Sequence, residues 1–242
     1  MSARFEGQAR ALRSLLQLSA PPIAIGFHSS PPDDVNRFDR PMPAPAADGR
    51  TGRVSAGCVF WMHATERAFV TVAEDHANCS VGSYTHGFVS LEDAAARADV
   101  AAIVEAGWVA ESEFASIPAV EEAPGAVTYE PLAEAEHGDV VLVRVHSAGL
   151  MTLLDAWPDL VIEGKPQCHI IALAKQHGRV AASVGCALSR ARTGMPATDA
   201  TVAIPVAVLD VLIERLTRVA EVNATVARYA GADAVRFEQV GA

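Results

Sequence analysis

Two stretches of this chain carry all four of its cysteines, and the stretches match each other. Residues 57–87 hold Cys58 and Cys79, and residues 168–194 hold Cys168 and Cys186. In each, a cysteine opens a short helical segment, a strand candidate follows, and a second cysteine begins a run that closes on glycine. The closing segments CSVGSYTHG and CALSRARTG align without a gap. Each stretch is preceded by an apolar strand, 23–27 in the first half and 140–145 in the second. The latter is β-branched almost throughout, which suits a pleated, buried ribbon. Similar halves pack around a pseudo-twofold axis, and such an axis carries equivalent residues toward one another. The pattern therefore predicts an α/β protein with one domain over 1–242. Two pseudo-repeated strand–helix–strand–helix halves, about 20–107 and 138–205, surround a central site, and a long C-terminal helix follows.

The remaining segments fit around that frame. Apolar spacing predicts a helix over 3–18, with Phe5, Ala9, Leu12, Leu15 and Leu16 on one face. A proline-rich loop over 29–51 leads into Cys58, where a lid over a site is one reading and a surface excursion the other. Strands are expected over 68–73, 127–130 and 179–184. A helix over 91–106 stops at Gly107, a helix over 149–157 takes Ser147 as its N-cap, and another covers 168–177. A long amphipathic helix runs from about 207 to 229. Its apolar stripe is either core or the seam of a homodimer, and a tail over 232–242 closes the chain.

The net charge of −10 and the lack of a basic cluster argue against nucleic acid as a partner. No run of apolar residues is long enough to span a membrane. The leucines of the first helix alternate with Arg10, Arg13 and Gln17, unlike a signal peptide. A cytoplasmic protein is expected, and there cysteines stay reduced. Four reduced cysteines point to metal, catalysis or burial.

The metal reading is a [4Fe–4S] cluster on Cys58, Cys79, Cys168 and Cys186, because four thiolates satisfy the cube. The close cysteine pairs of familiar motifs are absent, so the case rests on count and symmetry. Zinc and haem are less favoured on the same residues, with His76, His86 or His169 as substitute ligands. A reactive thiol is the non-metal reading, since a helix N-terminus favours thiolate. Buried cysteine as a small hydrophobe is the plain one. Ser189, Arg190, Arg192 and Thr193 form a candidate site for a small anionic molecule, because guanidinium groups bind carboxylate or phosphate by paired hydrogen bonds. On a helix, 190 and 192 do not share a face, so both reach one anion only from a loop or a tight helix end.

The segments PPIAIGF, GCVFWMHA, NCSVGSYTHG and SVGCALSRARTGMP resemble the prokaryotic family catalogued as domain of unknown function 169, over roughly residues 10–230. The resemblance implies soluble proteins with a cofactor or metal role and supplies no reaction. The expected function is a cytoplasmic metalloprotein acting on or sensing a small anion. The alternatives are an enzyme with a reactive cysteine and a non-catalytic ligand-binding module.

Overall fold

Val140 to His146 is apolar at nearly every position, as a strand covered on both faces must be. It lies at the middle of a single sheet. The computed structural model describes residues 4–39 and 57–240. The first half contains α1 (Glu6–Leu15), β1 (Ile23–His28), α2 (Gly57–His63), β2 (Phe69–Thr71) and α3 (Ser80–Thr85). The short helices α4 (Leu91–Ala95), α5 (Ala98–Glu105) and α6 (Glu111–Phe114) follow, and β3 (Ala126–Pro131) closes this half. The second half contains β4 (Val140–His146), α7 (Ser147–Ala156), β5 (Val161–Glu163), α8 (His169–His177), β6 (Ala181–Ser183), α9 (Ala187–Thr193) and β7 (Asp199–Pro205). The chain ends in α10 (Leu209–Val240).

The sheet order is β2-β3-β1-β4-β7-β6-β5. Every neighbouring pair is antiparallel except β5 with β6. Outward from the β1–β4 pair the order is β1, β3, β2 on one side and β4, β7, β6 on the other. An antiparallel pair is related to itself by a local twofold axis. Here that axis extends to whole halves. α2 packs on α9 and α3 packs on α8, which is the exchange a twofold axis produces. The expected α/β architecture with two related halves and a long C-terminal helix is what the chain forms.

Side chains alternate across the sheet. Ile23, Ile25, Val127, Tyr129, Val140 and Leu142 face one core, with Phe60 of α2, Val81 of α3 and Ile170 of α8. Ala24, Val141, Val143, Val145, Val202 and Ile204 face the other, with Leu12 of α1, Leu153 of α7 and Leu209, Leu212 and Leu216 of α10. Asp139 ties the sheet centre to the helices. Its carboxylate accepts from Phe27 N at 2.8 Å and from Lys175 Nζ of α8 at 2.7 Å.

Several local expectations differ from the structure. β7 lies beside β4, in a stretch where the sequence pattern predicts no strand. Its polar residues hide it: buried Asp199 faces Arg144 at 3.3 Å, and Thr201 accepts a hydrogen bond from Gln167. The helix expected over 91–106 divides at Arg97, whose extended backbone starts α5. The break lets Asp99 take hydrogen bonds from the Ser80 amide and hydroxyl at the start of α3. His146, not Ser147, caps α7, with Nδ1 accepting from Gly149 N at 3.1 Å. The tail expected over 232–242 is helical through Val240, in keeping with its alanine, arginine and glutamate content. Of the loop expected over 29–51, residues 40–51 lie outside the described residues.

The two closing glycines of the repeat are not equivalent. Gly87 has φ +82°, and a Cβ there would sit 2.7 Å from Val120 O. Gly194 has φ +62° with nothing within 4 Å. Gly194→Ala meets only the left-handed backbone cost, about 1–2 kcal/mol. Gly87→Ala adds a steric clash with backbone, so its loss of stability in denaturant titration should be clearly the larger. Equal losses would contradict this packing.

Candidate functional site

The four helix starts nearest the axis each carry one cysteine. Cys58 is the second residue of α2, Cys79 precedes α3 as its N-cap, Cys168 precedes α8, and Cys186 precedes α9. The pairing of α2 with α9 and of α3 with α8 points these starts at one another. All four cysteines line a single small cavity, together with Gly57, Gly82, Pro166, Gln167, Ser189 and Arg192. Trp108 also lines it, with Lys165 Nζ 4.8 Å from the Trp108 ring centre. The cysteines are free thiols.

Gly82 lies against Cys79 in the cavity wall, where an added methyl would make an ordinary contact. A Cβ on Gly82 would lie 3.4 Å from the Cys79 sulfur. Cys186 uses its sulfur to accept from Ser189 N at 3.3 Å, so the thiol itself caps α9.

Burial sets the charge state of the site. It pushes the Cys58 thiol up to about 12, and the neighbouring Cys79 adds to the rise, while Arg192 and Ser189 oppose it. Burial also holds Cys168 well above its ordinary value, with Cys79 next in effect. Thr85 lies within hydrogen-bond reach of Cys168 and works the other way. At neutral pH both thiols keep their protons. Arg192 is the cation at this cavity. Burial alone would lower its pKa, but Cys79, to which it hydrogen-bonds, and Cys58 hold it above the usual value.

The expected anion site separates. Arg190 and Arg192 sit on one short helix, and their side chains leave it in different directions. Arg190 donates to the carbonyls of Val184, Pro196 and Asp199, which fastens the turns before and after α9. Arg192 reaches the cysteines. The Thr193 hydroxyl donates back to Ser189 O at 2.8 Å. The Ser189 hydroxyl lies against the Cys58 sulfur and has no nitrogen or oxygen partner.

The three histidines near the cysteines in sequence do not join them in a single-ion site. Among the described residues no group of three or more His, Cys, Asp or Glu side chains is placed to hold a metal ion. His169 faces Glu163 at 3.5 Å. His76 and His86 are fully buried behind the cavity, with ring centres 5.3 Å apart. The Thr71 hydroxyl donates to Val127 O and so accepts from His76 Nε2, leaving His76 Nδ1 unpartnered. His86 Nδ1 donates to Gly82 O at 2.8 Å, leaving Nε2 unpartnered. Sequence reasoning missed the wall residues Gln167 and Trp108. Their adjacency to Cys168 and to the α5 turn was visible, but nothing in the spacing aimed them at a site.

The fold and this cavity define an α/β protein with a central, cysteine-lined site between two related halves. The model of the domain of unknown function 169 family, described as uncharacterised ArCR, matches residues 11–215, and the chain belongs to that family. No curated protein and no solved structure matches the chain. Among the described residues no helix is long and apolar enough to cross a membrane.

Burial also pushes the His86 pKa down from 6.5 to about 4, a drop its bond to Gly82 only partly opposes. The unfolded chain then binds more protons than the folded one between those values. Stability from this residue is complete above pH 6.5 and is lost as pH falls through that window. The loss is roughly 3 kcal/mol. Denaturant titrations at about pH 7 and about pH 4 should show it, and His86→Gln should flatten the dependence. An unchanged slope in His86→Gln would remove His86 as the source.

Proposed function

We propose that the cavity holds a [4Fe–4S] cluster through Cys58, Cys79, Cys168 and Cys186. The observation that carries this reading is that all four cysteines, drawn from both halves, line one cavity beside a half-buried arginine. A cubane gives each cysteine its own iron, so its ligands stand around a volume and need not converge on a point. Four thiols lining one cavity suit such a shell.

The protonated state of Cys58 and Cys168 is compatible with the same reading. A metal displaces the thiol proton and supplies the positive charge that burial otherwise denies. A cluster capped by four cysteines supplies one-electron chemistry, which suits electron transfer or redox sensing. Arg192 balances the negative charge of the ligands. The amide of Ser189 donates to the Cys186 sulfur, and hydrogen bonds to sulfur tune a cluster's potential. Because Arg190 is committed to carbonyls, the negative group that this site meets through Arg192 is the cluster with its thiolates. A cytoplasmic setting accompanies the proposal, since thiols stay reduced there.

A reactive cysteine without metal is the second reading. The hydrogen bond from Arg192 to Cys79 favours it, and the raised thiols of Cys58 and Cys168 count against it. Protein purified without air should be coloured, with about four iron and four acid-labile sulfide per chain. Single Cys→Ser variants at the four positions should each lower the iron content. A colourless, iron-free protein in which one thiol is rapidly alkylated near neutral pH would transfer the assignment to the second reading. A colourless protein with four slow thiols would remove both.

A further inference from the structure

A second cavity abuts the cysteine cavity, and the two share Cys58, Gln167 and Ser189. It contains about 480 Å³ of empty space, its mouth included. The part enclosed by its walls is much smaller, about 60 Å³. Trp61, Met62, Leu142 and Met195 give it an aromatic and polarizable wall.

Four buried polar atoms on its lining residues have no hydrogen-bond partner. They are Nε1 of Trp61, Oε1 of Gln167, Oγ of Ser189 and Nε of Arg144, the last held in an ion pair with Asp199. The Gln167 amide nitrogen donates to Thr201, whose hydroxyl is directed at the Met195 sulfur, so Oε1 remains as an acceptor. The indole N–H remains as a donor, and the serine hydroxyl can act either way. Other polar groups of the wall are already engaged. The Thr65 hydroxyl donates to Met62 O, the Thr193 hydroxyl to Ser189 O, and Arg144 pairs with Asp199 at 3.3 Å. The cavity thus offers unmet hydrogen bonds and a cation whose charge is matched. Buried polar atoms without partners carry a standing cost that a ligand can relieve.

We infer that this cavity binds a small, flat, uncharged molecule with a hydrogen-bond acceptor and a donor on one edge. The acceptor meets Trp61 Nε1, and the donor meets Gln167 Oε1. A carboxylate gains no unpaired cation here and places charge against an apolar wall. The bound molecule touches Cys58, so under the cluster reading, on which this last step rests, it adjoins one cluster ligand.

The test uses nicotinamide, a neutral ring with a primary amide, and nicotinate, the same ring with a charged group. Calorimetric titration of the iron-free full chain should give nicotinamide a dissociation constant of roughly millimolar, with nicotinate at least about tenfold weaker. Trp61→Phe keeps an aromatic ring and removes the N–H, and it should weaken nicotinamide about tenfold. Ser189→Ala gives an independent reading if the tryptophan variant does not fold. Nicotinate equal to or tighter than nicotinamide, no binding of nicotinamide, or unchanged affinity in both variants would overturn the inference. In iron-loaded protein, nicotinamide should shift the electron paramagnetic resonance spectrum of the reduced cluster. Protein that takes up no iron yet binds nicotinamide would sink the cluster reading while supporting this pocket.

Discussion

The antiparallel pairing of β1 with β4 governs the rest of the molecule. Ile25 opposite Val140 and Ile23 opposite Leu142 fix where the twofold axis falls. Once that register is set, β3 and β7 take equivalent places, and so do β2 and β6. The helices follow, because each leaves or enters a strand whose position is already determined. A one-residue slip would turn every side chain of one strand to the opposite face. It would also separate α2 from α9 and α3 from α8. The cavity is thus a by-product of sheet register, with Asp139 holding that register to α8 through Lys175.

Symmetry supplies positions, and asymmetric residues supply chemistry. The first half closes its cysteine segment with Tyr84 and His86, whose side chains turn into the core. The second half places Arg190 and Arg192 there. One of these arginines fastens the turns around α9, and the other carries charge to the cysteines. A half-buried guanidinium beside these thiols is stabilised by any negative charge that arises on them. Neutral thiols at Cys58 and Cys168 do not provide that charge alone, which is why the metal reading and the position of Arg192 support each other.

Much of the frame was legible in the sequence. β-branched runs marked β1 and β4, and the matching cysteine segments marked the two halves. The gathering of four distant cysteines followed from the repeat, although no close spacing announced it. Legibility failed where polar residues stand in buried strands. Asp199 and Thr201 make β7 look like a loop because their partners, Arg144 and Gln167, lie on other elements. It failed again for Arg190 and Arg192, whose opposite duties depend on what surrounds α9. The cavity walls at Gln167 and Trp61 were invisible for the same reason: an unpartnered atom is a property of the fold, not of a residue type.

The last helix has a mechanical consequence. α10 is rooted by Leu209, Leu212 and Leu216, and among the described residues none beyond Leu216 is buried. The remaining length, from 217 to 240, spans roughly 36 Å. A rod held at one end is a lever. Displacement of its far end becomes torque at the root, and the root follows β7 directly. β7 carries Thr201, which holds Gln167 between the two cavities. Leverage on α10 therefore bears on the very partition that separates the cysteines from the neighbouring pocket.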